Sequence, residues 1–174
     1  KPVKAASSFG VTKAADSGAL VSAIERAFEF DSRVIAEENI PGFEVGCAVM
    51  GNTQLVTGEI DEIELADGFF DYNEKYHLLT SKIHVPARLS PEKAEELKKT
   101  AKILYRALDC RGFARVDMFL TPRGEIVFNE INTIPGFTAH SRFPRMMQAA
   151  GYPLDHIVTY AVELALTGDE TSKR

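Results

Sequence analysis

Hydrophobic and polar positions change period several times along this chain, and each change marks an element. Leu20, Ile24, Ala27 and Phe28 recur at helical spacing behind Asp16 and Ser17, two side chains suited to capping, so a helix is predicted there. Before it, residues 1–13 read as two short extended pieces around the small-residue turn "AASSFG". After it, "RVIAEE" at 33–38 reads as a strand. The run "PGFEVGCAVMGNTQLVTGEIDEIEL" (41–65) is apolar or alternating on both sides of Gly51 and Asn52, which is hairpin chemistry. The next stretch, "ADGFFDYNEKYHLLTSKIHVPARL", has no period, and loops of that length are commonly functional lids.

Ser90, Pro91 and Glu92 then announce a helix: a hydroxyl cap, a proline whose missing N–H does no harm in the first turn, and an acid at the positive dipole end. Ala94, Leu97, Ala101, Leu104 and Leu108 line one face, and the helix is expected to end near Cys110 and Gly112. "GFARVDMFLTPRGEIVFNEIN" alternates on both sides of Thr121 to Gly124 and predicts a second hairpin. If Thr121 pairs with Gly124, Asp117 lies opposite Phe128 and Arg115 opposite Glu130. Arg115, Asp117, Glu130 and Asn132 then share one face, and Val116, Met118, Leu120, Val127 and Ile131 the other. Pro135 and Gly136 stop the strand, "FTAHSRFP" reads as a loop, and helices are expected around 143–150 and 153–167. This order fits an α+β fold with an antiparallel sheet.

Composition narrows the possibilities. At 174 residues and 45% hydrophobic content, the chain can bury a core and makes one domain, or one domain and part of another. A net charge of -5 and a pI near 5.4 lack the basic footprint of phosphate-backbone binding, so nucleic acid is not an expected partner. No run of about 18 apolar residues predicts a membrane span, and no basic-then-apolar leader opens the chain, so the expected compartment is the cytoplasm. Cys47 and Cys110 read as reduced core residues, and His77, His84, His140 and His156 show no metal spacing. Lys1-Pro2-Val3 begins as if already within a strand, which suggests a piece of a longer protein.

Three stretches carry candidate chemistry. Asp117, Glu130 and Asn132 offer hard oxygen ligands on neighbouring strands, as Mg²⁺ prefers; the plain alternative is a solvated face with an Arg115–Glu130 pair. "KAASSFG" can cradle a phosphate with backbone N–H groups and the Ser7 and Ser8 hydroxyls, beside Lys1 and Lys4, although many turns share that composition. "EENIPGFE" reads as a hinge whose backbone suits a base and whose Glu44 suits ribose hydroxyls, or as a loop with solvated acids. Lys75 and Tyr76 in the lid-like loop are a fourth, weaker pair.

Taken in order, "KPVKAASSFGVTK", "AEENIPGFEV", "FFDYNEKY", "GFARVDMF" and "NEINTIPGFTAHSRFP" resemble the ATP-grasp ligases, and within them the D-alanine:D-alanine ligase family. The resemblance implies an ATP-grasp C-terminal domain over 41–174, a mostly antiparallel sheet flanked by helices, with part of a small ATP-binding domain over 1–40. It implies a homodimeric parent about twice this length whose N-terminal half is missing here, and a fragment without activity alone. In the family, ATP phosphorylates a D-alanine carboxylate and the amine of a second D-amino acid attacks the acyl phosphate, giving a peptidoglycan precursor.

The resemblance also assigns roles. Asp117, Glu130 and Asn132 match positions holding two Mg²⁺ against ATP phosphates. Lys1 matches a phosphate lysine, Glu37 and Ile40 face adenine, and Glu44 matches the ribose acid. Arg115 and the Gly136 N–H match donors to the tetrahedral intermediate; Ser7 and Tyr76 match a network linking phosphate loop and lid; Lys75 and Ser141 lie near the second substrate's carboxylate. Ala6 stands where the family usually has Gly. Phe70 and Arg142 together resemble the vancomycin-resistance ligases that join D-alanine to D-serine, Arg142 being the expected partner of the serine hydroxyl. An ordinary D-alanine:D-alanine ligase and a non-catalytic nucleotide-binding module are the rival readings.

Overall fold

The computed structural model describes residues 1–4, 8–64 and 82–167. These divide into two units, one holding residues 1–4, 8–40 and 82 and the other residues 41–64 and 83–167.

In the first unit the predicted helix is α1 (Ser17–Phe28), started by the Asp16 carboxylate, which accepts from the Ala19 N–H at 2.8 Å. The strand expected over 33–38 is reduced to an antiparallel bridge between Pro2 and Val34. Lys1 and Ile35 exchange backbone hydrogen bonds of 2.8 and 2.9 Å, and the Val3 N–H donates to Arg33 at 3.1 Å. Past Val3, the Lys4 N–H donates to the Asp31 carboxylate at 2.6 Å.

The second unit is built on a six-stranded sheet: β1 (Phe43–Met50), β2 (Val56–Thr57), β3 (Asp61–Glu64), β4 (Lys82–His84), β5 (Phe113–Leu120) and β6 (Ile126–Asn132). Its order is β4-β3-β1-β5-β6, with β2 also on β1, and β1 is antiparallel to β2, β3 and β5, as β5 is to β6. Strand β4 was not expected; it lies in the stretch read as a lid, whose residues 66–81 fall outside the described chain.

Helix α2 (Pro91–Ala107) starts where predicted, with the Ser90 hydroxyl accepting from the Lys93 N–H. Leu97 and Ala101 are buried as expected, but Tyr105 fills the third place, and Leu108, past the helix end, is half exposed. These side chains cover Val45, Cys47 and Val49 of β1 and Val116, Met118 and Leu120 of β5. Each such aliphatic side chain contributes about 1.5–3 kcal/mol on full burial.

Helices α3 (Arg142–Ala149) and α4 (Leu154–Leu166) pack over part of the opposite face, Phe143, Met146, Met147, Ile157 and Leu164 meeting Ala48 and Met50. Gly58 sets how near α3 comes: a Cβ there would stand 2.7 Å from the Met146 carbonyl carbon. The Glu59 N–H donates to the Met146 carbonyl at 2.9 Å, and this close seat brings Arg142, at the start of α3, down over the sheet.

Among the described residues no helix is long and apolar enough to cross a membrane, and Cys47 and Cys110 are both unbridged.

Candidate functional site

The part of that sheet face left by α3 and α4 is polar. Side chains directly opposite across a ladder point to the same face, and the register sets Asp117 against Glu130 and Arg115 against Asn132. The four residues expected to share a face do so, by a different register from the one expected. The turn closes one residue later, the Thr121 N–H donating to Glu125 at 3.0 Å. A bulge then adds one more residue on β6, between the Met118–Phe128 and Asp117–Glu130 rungs. Either offset alone would turn Glu130 and Asn132 to the apolar side; the two together restore them. Val127, expected on the apolar face, instead pairs with Phe119, while Phe128 pairs with Met118.

The polar face continues across β1 to β3. Gly46 pairs with Asp117 on one side and with Asp61 on the other. A Cβ at Gly46 would come within 2.5 Å of the Arg142 guanidinium, 2.6 Å of Asp61 Oδ1 and 3.0 Å of Asp117 Oδ1, so only glycine fits beneath these groups. Arg142 Nε and Nη2 donate to Asp61 Oδ2 and Oδ1 at 2.6 and 2.8 Å, and Nη1 donates to Glu44 at 3.0 Å. Nη2 also lies 3.4 Å from Asp117 Oδ1.

Asp61 and Asp117 are fully buried, and Glu44 and Arg142 nearly so. Burial opposes the Arg142 charge, but Asp61, Asp117 and Glu44 outweigh it and hold the guanidinium well above its ordinary value, firmly protonated. Arg115 makes a second fork: Nε lies 2.8 and 3.0 Å from the two Asp117 oxygens and Nη2 2.7 Å from Oδ2. Arg115 thus pairs with Asp117 along one strand, where the plain alternative had set it on Glu130.

The remaining candidate positions fall into smaller groups. Asn132 Oδ1 accepts from the Ile134 N–H at 3.1 Å, which shapes the strand end. The Ser141 hydroxyl does not cap α3; it accepts from the Thr138 N–H at 3.1 Å and lies 2.9 Å from the Thr138 hydroxyl, close beside exposed Gly136. In the first unit, the Lys1–Ile35 pairing sets the Lys1 ammonium on the Glu37 carboxylate, joining two positions assigned to the nucleotide. Ser8 has a positive φ of 61° in the turn expected to hold phosphate, and Ile40 is half-buried. Ser7, Phe70, Lys75 and Tyr76 lie outside the described residues, as does Ala6.

Magnesium suits the donor set of the second unit. Four carboxylates, Glu44, Asp61, Asp117 and Glu130, face two guanidinium groups, Arg115 and Arg142, so the cluster carries an excess of negative charge built from hard oxygens. Among the described residues no three His, Cys, Asp or Glu side chains gather into a metal cage. A Mg²⁺ site of two carboxylates and an amide, completed by phosphates and water, needs none. Arg115 spans both Asp117 oxygens, so a metal at Asp117 requires that guanidinium to give way.

Asp61 and Gly46 were not singled out from the sequence. Asp61 sits within "GEIDEIEL", where nothing local separates it from the neighbouring acids Glu59, Glu62 and Glu64.

The antiparallel sheet, with helices on both faces and this acidic patch, is the C-terminal domain of an ATP-grasp fold, as in the solved D-alanine–D-alanine ligases. The family profile described as "D-ala D-ala ligase C-terminus" matches residues 1–163, and the chain belongs to that family. The Vancomycin C-type resistance protein VanC2 of Enterococcus casseliflavus is 46% identical over 165 residues, covering 95% of this chain and 47% of that protein. The structure of the VanG D-Ala:D-Ser ligase from Enterococcus faecalis is 55% identical, with a TM-score of 0.87, over 94% of this chain and 48% of that one. The D-alanine–D-alanine ligase from Bacillus anthracis, solved with ATP, is 31% identical with a TM-score of 0.73, over 87% and 47% of the two chains. The chain therefore spans about half the length of the relatives it matches.

Proposed function

We propose that this chain is the nucleotide- and metal-binding C-terminal part of an ATP-dependent D-alanine:D-serine ligase that makes peptidoglycan precursors and supports vancomycin resistance. The observation that carries the reading is the pair of same-face rungs either side of Val116–Ile131, Asp117 on Glu130 and Arg115 on Asn132, within a chain 55% identical to a D-Ala:D-Ser ligase. Asp117, Glu130 and Asn132 would hold two Mg²⁺, which when bound neutralise phosphate charge and align the transfer. Arg115 and the Gly136 N–H would stabilise the oxyanion formed as the second amine attacks; loss of one such donor typically costs about 10²–10³ in rate.

Lys1, Ser8 and Ser7 would face the phosphates, Glu37 and Ile40 the adenine, and Glu44 the ribose. Tyr76 and Lys75 would close over the reacting groups and exclude water from an acyl phosphate. Ser141 would meet the carboxylate of the second amino acid.

The choice of acceptor rests on the VanG likeness and on the Phe70 and Arg142 pair. Arg142 has its donors on Asp61 and Glu44, so it would influence the acceptor without a direct bond to the serine hydroxyl. A D-alanine acceptor is the second reading, favoured by the Bacillus anthracis likeness. Ligation is expected only in a protein that also carries the portion of its relatives' length outside this chain. The test is ligation by that longer protein with D-alanine and ATP, comparing D-serine, D-alanine and D-lactate as acceptors. D-serine should give the highest kcat/KM. A preference for D-alanine would move the assignment to the second reading, and no nucleotide turnover with any acceptor would remove both.

A further inference from the structure

We propose that Asp61 is a positioning residue for the metal carboxylate Asp117, acting by holding the Arg142 guanidinium away from it; this rests on Asp117 being a Mg²⁺ ligand. Asp61, Gly46 and Asp117 lie on one level of three adjacent strands, and the absent side chain at Gly46 leaves the space in which the guanidinium sits between two buried acids. One cation therefore has two anions to choose from. The fork closes on Asp61, at 2.6 and 2.8 Å, and a third donor goes to Glu44 at 3.0 Å.

From Arg142, Asp117 receives only the long approach of Nη2, at 3.4 Å, while Arg115 holds it closely from the other side. Charge-assisted N–H···O bonds are normally about 2.7–2.9 Å, so the Asp61 contacts are full bonds and the Asp117 contact is mainly a through-space attraction. A planar fork cannot turn fully to Asp117 while both of its bonds to Asp61 stand. The arrangement leaves Asp117 with more of its charge for a metal than a symmetric sharing of Arg142 would.

Without the Asp61 charge the guanidinium loses its stronger partner, and Asp117 becomes the nearest full carboxylate on that side. Arg142 then joins Arg115 as a second cation competing with Mg²⁺ for the Asp117 oxygens. Replacing a residue that orients a metal ligand typically weakens metal binding about 10–100-fold.

The experiment measures ATP binding by titration calorimetry on the full chain, with and without Mg²⁺ and across Mg²⁺ concentrations, for the wild type, Asp61→Asn, Asp61→Asn/Arg142→Gln and Glu62→Gln. Glu62 neighbours Asp61 but is bonded to Arg88, so its variant reports a lost ion pair elsewhere in the same strand. Asp61→Asn should raise the Mg²⁺ concentration for half-maximal effect about tenfold or more, leave Mg²⁺-free ATP affinity unchanged, and be at least partly rescued by removing the competing cation in the double variant. Glu62→Gln should leave the Mg²⁺ dependence as in the wild type.

An unchanged Mg²⁺ dependence in Asp61→Asn, or a double variant worse than the single, would overturn the proposal and leave a purely structural ion pair. If Asp61→Asn does not fold, the double variant decides: wild-type Mg²⁺ dependence supports the proposal, and a tenfold loss overturns it. Absence of any Mg²⁺-dependent ATP binding by the wild type would instead count against the functional reading beneath it.

Discussion

Gly46 lies directly beneath Arg142: a Cβ on this glycine would come within 2.5 Å of the guanidinium that joins Asp61, Glu44 and Asp117. The strand can carry a buried cation only where it carries no side chain. The three side chains around that space are pinned by mutual bonds and cannot simply rotate clear. Gly46→Ala is therefore expected to lower stability by about 1–3 kcal/mol, the usual cost of forcing an extra carbon into a packed site. Urea denaturation checks it, and an unchanged midpoint would mean the cluster relaxes freely.

Removing the cation is a heavier change than crowding it. Arg142→Leu removes the guanidinium that bridges Asp61 and Glu44, while Arg115 still holds Asp117. Breaking a buried ion pair by deleting one partner typically costs about 3–5 kcal/mol. Arg142→Lys should recover part of this, since an ammonium restores the charge but not the two bonds to Asp61. Denaturant midpoints of the two variants test the order, and equal losses for both would argue that charge alone matters here.

How much could be read without the structure depends on how far apart the cooperating residues lie. Asp16 and Ser90 act on N–H groups three residues away, so both caps were legible locally. The shared face of Arg115, Asp117, Glu130 and Asn132 was legible because alternation survives an even shift. The rung pairing was not, because the turn at Thr121 and the bulge near Asn129 each contribute one residue that no local rule counts. The strand near Val34 was overestimated because its pairing extends only from Arg33 to Ile35. Arg142 and Asp61 are 81 residues apart, and their union depends on Gly58 admitting α3 and Gly46 admitting the guanidinium. Both glycines could be seen in the sequence, but not what approached them.

Tyr105 was not among the side chains expected to line α2, yet its hydroxyl donates to the Gly51 carbonyl at 3.0 Å inside the core. Gly51 stands at a φ of 126°, so the bond anchors a chain reversal that few other residues could make. Tyr105→Phe keeps the ring and orphans that carbonyl, at an expected cost of about 1–2 kcal/mol. Amide exchange should quicken in the loop from Gly51 to Leu55 more than in β5. A uniform loss of protection across the unit would instead point to a general packing role.

Glu62 gives the second unit a pH dependence with a definite sign. Burial pushes its carboxyl up, but hydrogen bonds from the Arg88 backbone N–H at 2.9 Å and guanidinium at 2.6 Å, with the Arg88 charge, more than reverse this and hold it below its ordinary value of 4.5. A depressed folded value means the unfolded chain takes up the proton first. The contribution is thus fully present above about pH 4.5 and is lost as pH falls through the lower folded value. Because Arg88 is half exposed, solvent screens the pair and its worth is about 1 kcal/mol. Denaturation of the wild type and Glu62→Gln at about pH 7, 5, 4 and 3, which spans the linkage window, should show a stability gap that is largest at neutral pH and closes in acid. A gap that stays constant over that range would assign the effect of Glu62 to packing rather than to its charge.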